Sequence, residues 1–241
     1  MSQVQDDNSR PLYVQVRERL LERIRSGAWK PGQLIPNEFE IAAEFGVSQG
    51  TARKAISELA AEGLVVRRQG RGTFVVEHTP ARVLFRFFNI YDTSGAAVIP
   101  DSRDTRARVD RASPQERAAL ELAENASVIR IRRTRMRGGV PFITETIILP
   151  EALFPGLADE AALPNTLYDM FQKVYGVLLT RTDDRLSAVT ADADTAAELG
   201  IAPGAPLLRI ERIAFSLDDR PIEWRVSLCH LAGGHYLARN G

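Results

Sequence analysis

The chain of 241 residues has one cysteine, three histidines and 7% aromatic residues, and its 31 Lys+Arg balance its 31 Asp+Glu. A lone thiol, Cys229, forms no internal disulfide, and His78, His230 and His235 lack zinc-ligand spacing, so no disulfide framework and no metal is expected. Cys229 reads as a small buried residue, with a reactive thiol as the alternative. Cys229 and His230 are adjacent, so on a strand they point to opposite faces. No Ser-His or Cys-His pair can be placed either, and no catalytic residue or cofactor is assigned. No run approaches the roughly 20 apolar residues that span a bilayer. The opening MSQVQDDNSR is polar, without the apolar core of a secretory signal, and reads as a frayed tail on a cytoplasmic protein with no membrane partner.

Zero net charge counts against a nucleic-acid partner only on average. From Arg53 to Val76 there are five basic residues (Arg53, Lys54, Arg67, Arg68, Arg71) against two acidic ones (Glu58, Glu62). Gathered on one face, these suffice for phosphate contact. The length suits two domains, and the reading divides the chain into residues 10–78, a linker 79–81 begun by Pro80, and residues 82–241.

Residues 12–26 place Val16, Leu20 and Ile24 four apart with Leu21 beside them, an apolar stripe of helical period that Gly27 ends. Asn37 caps a second helix, with Glu40 completing a capping box and Ile41, Ala42 and Phe45 inward as far as Gly46. Ser48 caps a third, with Ala52, Ala55, Ile56 and Leu59 inward. Two short helices joined by Gly46-Val47-Ser48 have the anatomy of a helix-turn-helix. The outward residues Gln49, Gly50, Thr51, Arg53 and Lys54 suit a DNA groove: Gln pairs with adenine, Arg with guanine, and glycine lets the backbone approach. LVVRRQGRGTFVV then reads as a hairpin whose tip, Gln69-Gly70-Arg71-Gly72, is basic and loosened by glycine. The alternative is a three-helix domain with solvated arginines.

The 40 residues from Pro36 to Val75 resemble the winged helix-turn-helix signature of the GntR family of bacterial regulators. The resemblance implies DNA contact by Thr51, Arg53 and Gly70 with its neighbours. Phe39 and Gln49 stand where many family members carry arginine, which alters the expected operator sequence.

Beyond residue 78, ARVLFRFFNIY (81–91) reads as an apolar β-run and Thr93–Arg111 as loops with a short strand. Ser113-Pro114 opens a helix through PQERAALELAE, and TAAEL at 195–199 repeats the motif. Each helix is followed by a strand (VIRIRRTRM, LLRIERIAF), a turn with proline (Gly138–Pro141, Asp218–Pro221) and a further strand, a duplicated unit in an antiparallel α+β domain. Residues 165–176 make one more helix, with Leu167, Met170, Phe171 and Val174 inward.

If Arg137 faces Pro141 across a three-residue loop, Ile129 pairs with Leu149, Ile131 with Ile147, Arg133 with Glu145 and Arg135 with Ile143. A one-residue slip would turn the apolar set to the wrong face. Arg133 and Arg135 then lie on the core side, where charge needs a partner, a ligand or water. Two readings stand: a pocket in which both arginines hold an anionic group, with Glu145 and the equivalently placed Glu223 accepting hydrogen bonds, or an Arg133–Glu145 salt bridge.

Residues 82–236 are similar to the UTRA effector-binding domain of the HutC-type branch of the GntR family, a fold related to chorismate lyase. The motifs are R-x-R, G-x-P then Glu, Thr-Leu-Tyr, L-G-I-x-P-G and P-x-E. The similarity implies effector contacts at Arg133, Arg135, Glu145, Thr166, Tyr168 and Glu223. Many relatives have a tyrosine where this sequence has Cys229. The expectation is a homodimeric repressor on double-stranded operator DNA, controlled by a small anion such as a sugar phosphate or organic acid. The alternatives are a lyase-like enzyme, recognisable by ligand turnover, and a DNA-binding protein indifferent to metabolites.

Overall fold

The computed structural model describes residues 10–77 and 88–238. The chain divides into two compact units, within residues 1–78 and 79–241. The tail expected at the start, the linker 79–81 and most of the 81–91 run lie outside the described residues, and the end of that run is strand β3 (Ile90–Asp92).

In the N-terminal unit, α1 (Leu12–Arg25), α2 (Glu38–Phe45) and α3 (Gln49–Ala61) precede a hairpin of β1 (Val65–Arg68) and β2 (Gly72–Val75). The apolar stripes behave as their spacing requires. Val16, Leu20, Leu21 and Ile24 of α1 and Ala52, Ala55, Ile56 and Leu59 of α3 are all buried. Asn37 closes a full capping box with Glu40, and the Ser48 hydroxyl accepts the Thr51 N–H. Phe45, expected in the core, is half-buried and packs its ring under the Arg23 guanidinium, 5.3 Å from its centroid. Gly72 has φ +104°, a backbone conformation that L side chains rarely adopt, so the turn into β2 favours glycine there; a Cβ would also push aside the exposed Leu34 side chain.

The C-terminal unit is built on a six-stranded antiparallel sheet. Its elements are β4 (Asp101–Arg111), α4 (Pro114–Leu120), β5 (Ser127–Arg137), β6 (Val140–Pro150), α5 (Leu167–Tyr175), β7 (Leu179–Thr190), α6 (Ala193–Leu199), β8 (Pro206–Ser216) and β9 (Pro221–Cys229). The order β4-β5-β6-β9-β8-β7 sets two β-α-β-β halves side by side, joined along β6 and β9. β10 (Gly234–Tyr236) pairs separately with β3. One sheet face carries Ile129, Ile131, Ile147 and Leu149 under Leu167, Tyr168 and Phe171 of α5. The other is covered by α4 and α6. No helix among the described residues is long and apolar enough to cross a membrane.

Four expectations need correction. Residues 101–111 form a full edge strand, hidden in the sequence because an edge strand exposed on both faces shows no apolar alternation. The helix opened by Pro114 stops at Leu120, where Glu121 turns left-handed (φ 52°). On α5, Val174 is 64% exposed and Met170 half-buried, while Tyr168 and Gln172 turn inward instead. In the first hairpin, Arg137 pairs with Val140 across a Gly138-Gly139 turn, not with Pro141, and a bulge before Met136 restores the expected pairs from Arg135–Ile143 inward. The second hairpin has the matching bulge, between Ala214 and Phe215. The residues skipped by the two registers, Phe142 and Ile222, are both buried.

Candidate functional site

The outward residues of α3 come together as expected. Gly50, Arg53 and Lys54 are exposed, and Gln49 and Thr51 half-exposed. Asn37 and Ser48 are committed as caps: Asn37 Oδ1 accepts from the Phe39 and Glu40 N–H groups, and Ser48 Oγ from Thr51 N at 3.2 Å. Gln69, Gly70, Arg71 and Gly72 form an exposed wing tip, with Gly70 at φ +69°. Most of the basic groups are already held. Lys54 Nζ lies 3.6 Å from the centroid of Tyr13, and the Arg68 guanidinium 4.5 Å from that of Phe74. Arg53 Nε donates to Glu38 at 2.8 Å, and Arg67 Nη2 to the same carboxylate at 3.3 Å. Sequence reasoning missed Glu38, because an acid in a first helical turn reads as a partner for the helix dipole. Phe39, beside it, is 69% exposed.

In the C-terminal unit the β5–β6 register puts Arg133, Arg135 and Glu145 on the sheet face shared with the α5 core. All three are buried. Arg133 Nε is hydrogen-bonded to Glu145 Oε1, so the salt-bridge reading holds for that pair. Arg135 differs: Nη1 donates to Ser102 Oγ (2.6 Å), Asn165 O (3.0 Å) and Asn165 Oδ1 (2.8 Å), while its buried Nε has no hydrogen-bond partner. Burial pulls the Arg135 guanidinium down to about 9, against the attraction of Glu145. Burial pushes Glu145 the other way, but Arg133, Arg225 and Arg135 together outweigh it and hold the carboxyl well below the usual range.

Thr166 is buried at the start of α5, and its hydroxyl does not cap the helix. Tyr168 OH donates to Glu223 Oε1 at 2.8 Å, bringing those two expected residues together. Burial and the Glu223 charge raise that phenol, which stays a neutral donor.

Glu223 does not occupy the place equivalent to Glu145. It faces Ala214, as Ile143 faces Arg135; the counterparts of the Arg133–Glu145 pair are Arg212 and Arg225. Aligning the Pro221 turn with the Pro141 turn would have found Arg225, and aligning VIRIRRTRM with LLRIERIAF would have found Arg212. Arg225 donates through Nε and Nη2 to Glu223, each at 2.9 Å, and its Nη1 lies 3.6 Å from Glu145 Oε2. Arg212 forks onto Asp184 at 2.7 and 2.6 Å. Tyr236 OH also donates to Asp184, at 3.0 Å. Glu145, Arg212, Arg225, Ser227, Cys229 and Tyr236 help line a cavity of about 30 Å³, room for one or two water molecules rather than a metabolite. Cys229 is fully buried there, and burial raises its thiol.

Comparison with known proteins agrees with both halves of this description. Residues 12–75 match the family model described as bacterial regulatory proteins, gntR family, and residues 98–232 match the UTRA domain. The chain is 30% identical to the HTH-type transcriptional repressor NagR of Bacillus subtilis (strain 168), over 85% of this chain and 84% of that one. It is 32% identical to the histidine utilization repressor of Pseudomonas putida, over 86% and 83% respectively. Among solved structures, the ligand-binding domain of a candidate GntR-family transcriptional regulator from Bordetella bronchiseptica superposes with a TM-score of 0.60 at 31% identity, covering 65% of this chain and 98% of that domain. The chain therefore belongs to the GntR family, in the HutC-type branch that joins a helix-turn-helix to a UTRA domain, and is a DNA-binding transcription regulator rather than an enzyme.

Proposed function

We propose that this chain is a repressor whose hold on operator DNA is set by a small anionic metabolite. The observation that carries the sensing half is Arg135, whose buried Nε has no hydrogen-bond partner. Around it, four buried or part-buried arginines (Arg133, Arg135, Arg212, Arg225) stand against three carboxylates (Glu145, Glu223, Asp184) among the described residues. A buried guanidinium with an unmet donor binds carboxylate or phosphate strongly, because its own desolvation has already been incurred on folding and the ligand supplies the missing charge-assisted hydrogen bond. Arg133, Glu145, Thr166, Tyr168 and Glu223 orient the rest of the ligand. The small cavity beside Glu145 means that the ligand displaces an internal ion pair on entry, and the two Glu145 contacts longer than a hydrogen bond, to Arg135 Nε at 3.9 Å and to Arg225 Nη1 at 3.6 Å, are the ones it would replace.

In the DNA-binding half, Gln49, Gly50, Thr51, Arg53 and Lys54 meet base edges and phosphates, with Asn37 and Ser48 at the helix starts near the backbone. Gln69, Gly70, Arg71 and Gly72 follow the neighbouring groove. Two copies form a cytoplasmic homodimer on a near-palindromic site. Control is by linkage: an anion that binds one state of the dimer better shifts it away from the operator-bound state. Repression follows the relatives named as repressors.

The test is fluorescence anisotropy of the full chain on duplex from its own upstream region, at fixed salt, titrated with carboxylated and phosphorylated metabolites. Release by one of them, lost in Arg135→Ala with operator affinity kept, is the expected result. A variant that keeps the full response excludes Arg135 as the anion site.

A further inference from the structure

Glu38 places a negative charge within a surface that has to meet phosphates. It stands in the first turn of α2, and each carboxylate oxygen serves a different arginine: Oε2 accepts from Arg53 Nε at 2.8 Å, and Oε1 from Arg67 Nη2 at 3.3 Å. Arg67 Nη2 also donates to Ser57 Oγ at 3.0 Å. One acid thus joins α2, the outward face of α3 and the first strand of the wing. Stability does not explain the arrangement, since exposed ion pairs contribute little and the Arg53 side chain is 60% exposed. Phosphate affinity does not explain it either, because removing an acid would strengthen attraction to the DNA backbone.

What the acid supplies is orientation. With Nε engaged at the root of the guanidinium, both Nη groups of Arg53 project beyond it as a planar fork, the geometry that takes guanine O6 and N7 together. Left unclamped, so exposed an arginine spends that geometry on rotamer freedom. Through Arg67 the same carboxylate fixes the wing against the recognition helix.

We propose that Glu38 is a positioning residue for sequence discrimination: it lowers overall DNA affinity and raises selectivity by presenting Arg53 as a fixed fork and tying the wing to α3. This rests on the reading of α3 and the wing as the DNA-contacting surface.

The experiment compares full-length wild type, Glu38→Ala, Glu38→Gln, Arg53→Ala and the double variant Glu38→Ala/Arg53→Ala. Each is titrated across a salt series with a duplex selected by the wild type from a random-sequence pool and with a scrambled duplex of equal length. Glu38→Ala is expected to lose roughly tenfold in the ratio of selected to scrambled affinity, about one good bidentate contact. It should bind the scrambled duplex more tightly, with a log-log salt slope steeper by about 0.9 for each additional phosphate neutralised. A merely structural role would not steepen that slope. Glu38→Gln, whose amide oxygen still accepts from Nε, should keep most of the ratio. The double variant should lose less than the sum of the two single losses, because Glu38 acts in part through Arg53 and only its tie to Arg67 is left to lose.

A wild-type ratio in Glu38→Ala while Arg53→Ala loses selectivity sinks the role of Glu38 and leaves the DNA surface standing; additive losses in the double variant do the same. If Arg53→Ala also keeps wild-type binding, the surface itself is misassigned. Should Glu38→Ala fail to fold, Glu38→Met, of similar length but with no oxygen to accept from Arg53, carries the test: a roughly tenfold loss in the ratio supports the proposal, and a wild-type ratio overturns it.

Discussion

Replacing Gly50 by alanine separates what the fold needs from what DNA needs. Gly50 is the second residue of α3 and exposed, and it is not among the glycines with positive φ. A Cβ built there meets only Ser48 Oγ, at 3.8 Å, an ordinary contact. Nothing in the described residues therefore calls for glycine, whereas glycine within a helix is less stable than alanine by roughly 0.5–1 kcal/mol. Gly50→Ala should stabilise the N-terminal unit by about that much. For a domain of this size the gain corresponds to a rise of about 2–8 °C in its melting transition, readable by calorimetry of the full chain. Operator affinity should move the other way. A methyl group where the first turn of α3 approaches the duplex lifts the backbone away and disturbs the Gln49 and Arg53 contacts, costing roughly tenfold or more by anisotropy. Opposite signs in the two assays are the expected outcome. A stabilised protein with unchanged operator affinity would refute the placement of the α3 N-terminus against DNA.

Three further outcomes follow from the same geometry. Glu145 has its carboxyl pKa lowered in the folded state, so the stability it contributes is fully present at neutral pH and is lost as pH falls from about 5 toward that lowered value; Glu145→Gln should flatten this part of the acid-denaturation curve of the C-terminal unit, and an unchanged curve would contradict the buried ion-pair cluster. The Cys229 thiol, buried and raised in pKa, should resist alkylation at pH 8 until the protein is denatured, and rapid labelling of folded protein would reverse the assignment. Phe39→Arg should shift operator preference toward guanine at one position of each half-site, measured by selection from a random pool, and identical selected sequences would remove Phe39 from the interface.

Legibility in the sequence followed the strength of the pattern. The inward face of α3 was readable because four apolar residues at helical spacing leave one orientation. The β5–β6 register was readable because a slip would carry Ile129 and Ile131 to the wrong face. The turn was not, since Gly138-Gly139 admits more than one loop and the bulge at Phe142 absorbs the difference without disturbing the interior pairs. Val174 continues the helical spacing of α5, but Tyr175, four residues after Phe171, takes the inward position of that turn and leaves Val174 outward. The clamp on Arg53 had no signal at all, because it joins residues from two helices and a strand by side-chain reach rather than by period.

The site was half legible for a reason that lies in the duplication. The two β-α-β-β halves share a helix cap, a hairpin and a bulge, yet Arg225 stands where symmetry would repeat Glu145. Had the halves stayed alike, two buried glutamates would flank the β6–β9 seam, and like charges that close in a dry environment force one of them to take up a proton. With arginine on one side, Glu145 and Arg225 instead approach to 3.6 Å and Glu145 stays ionised. The change of sign also breaks the equivalence of the half-sites. Arg212 is fully occupied by Asp184 along two hydrogen bonds, whereas Arg135, for which the second half has only Ala214, keeps a donor unmet. Under the proposed reading, the described residues of the duplicated sheet thus hold an unmet guanidinium donor in the first half, at Arg135, with no counterpart at Ala214, and an anion would be expected on the Arg135 side of the seam rather than at both half-sites.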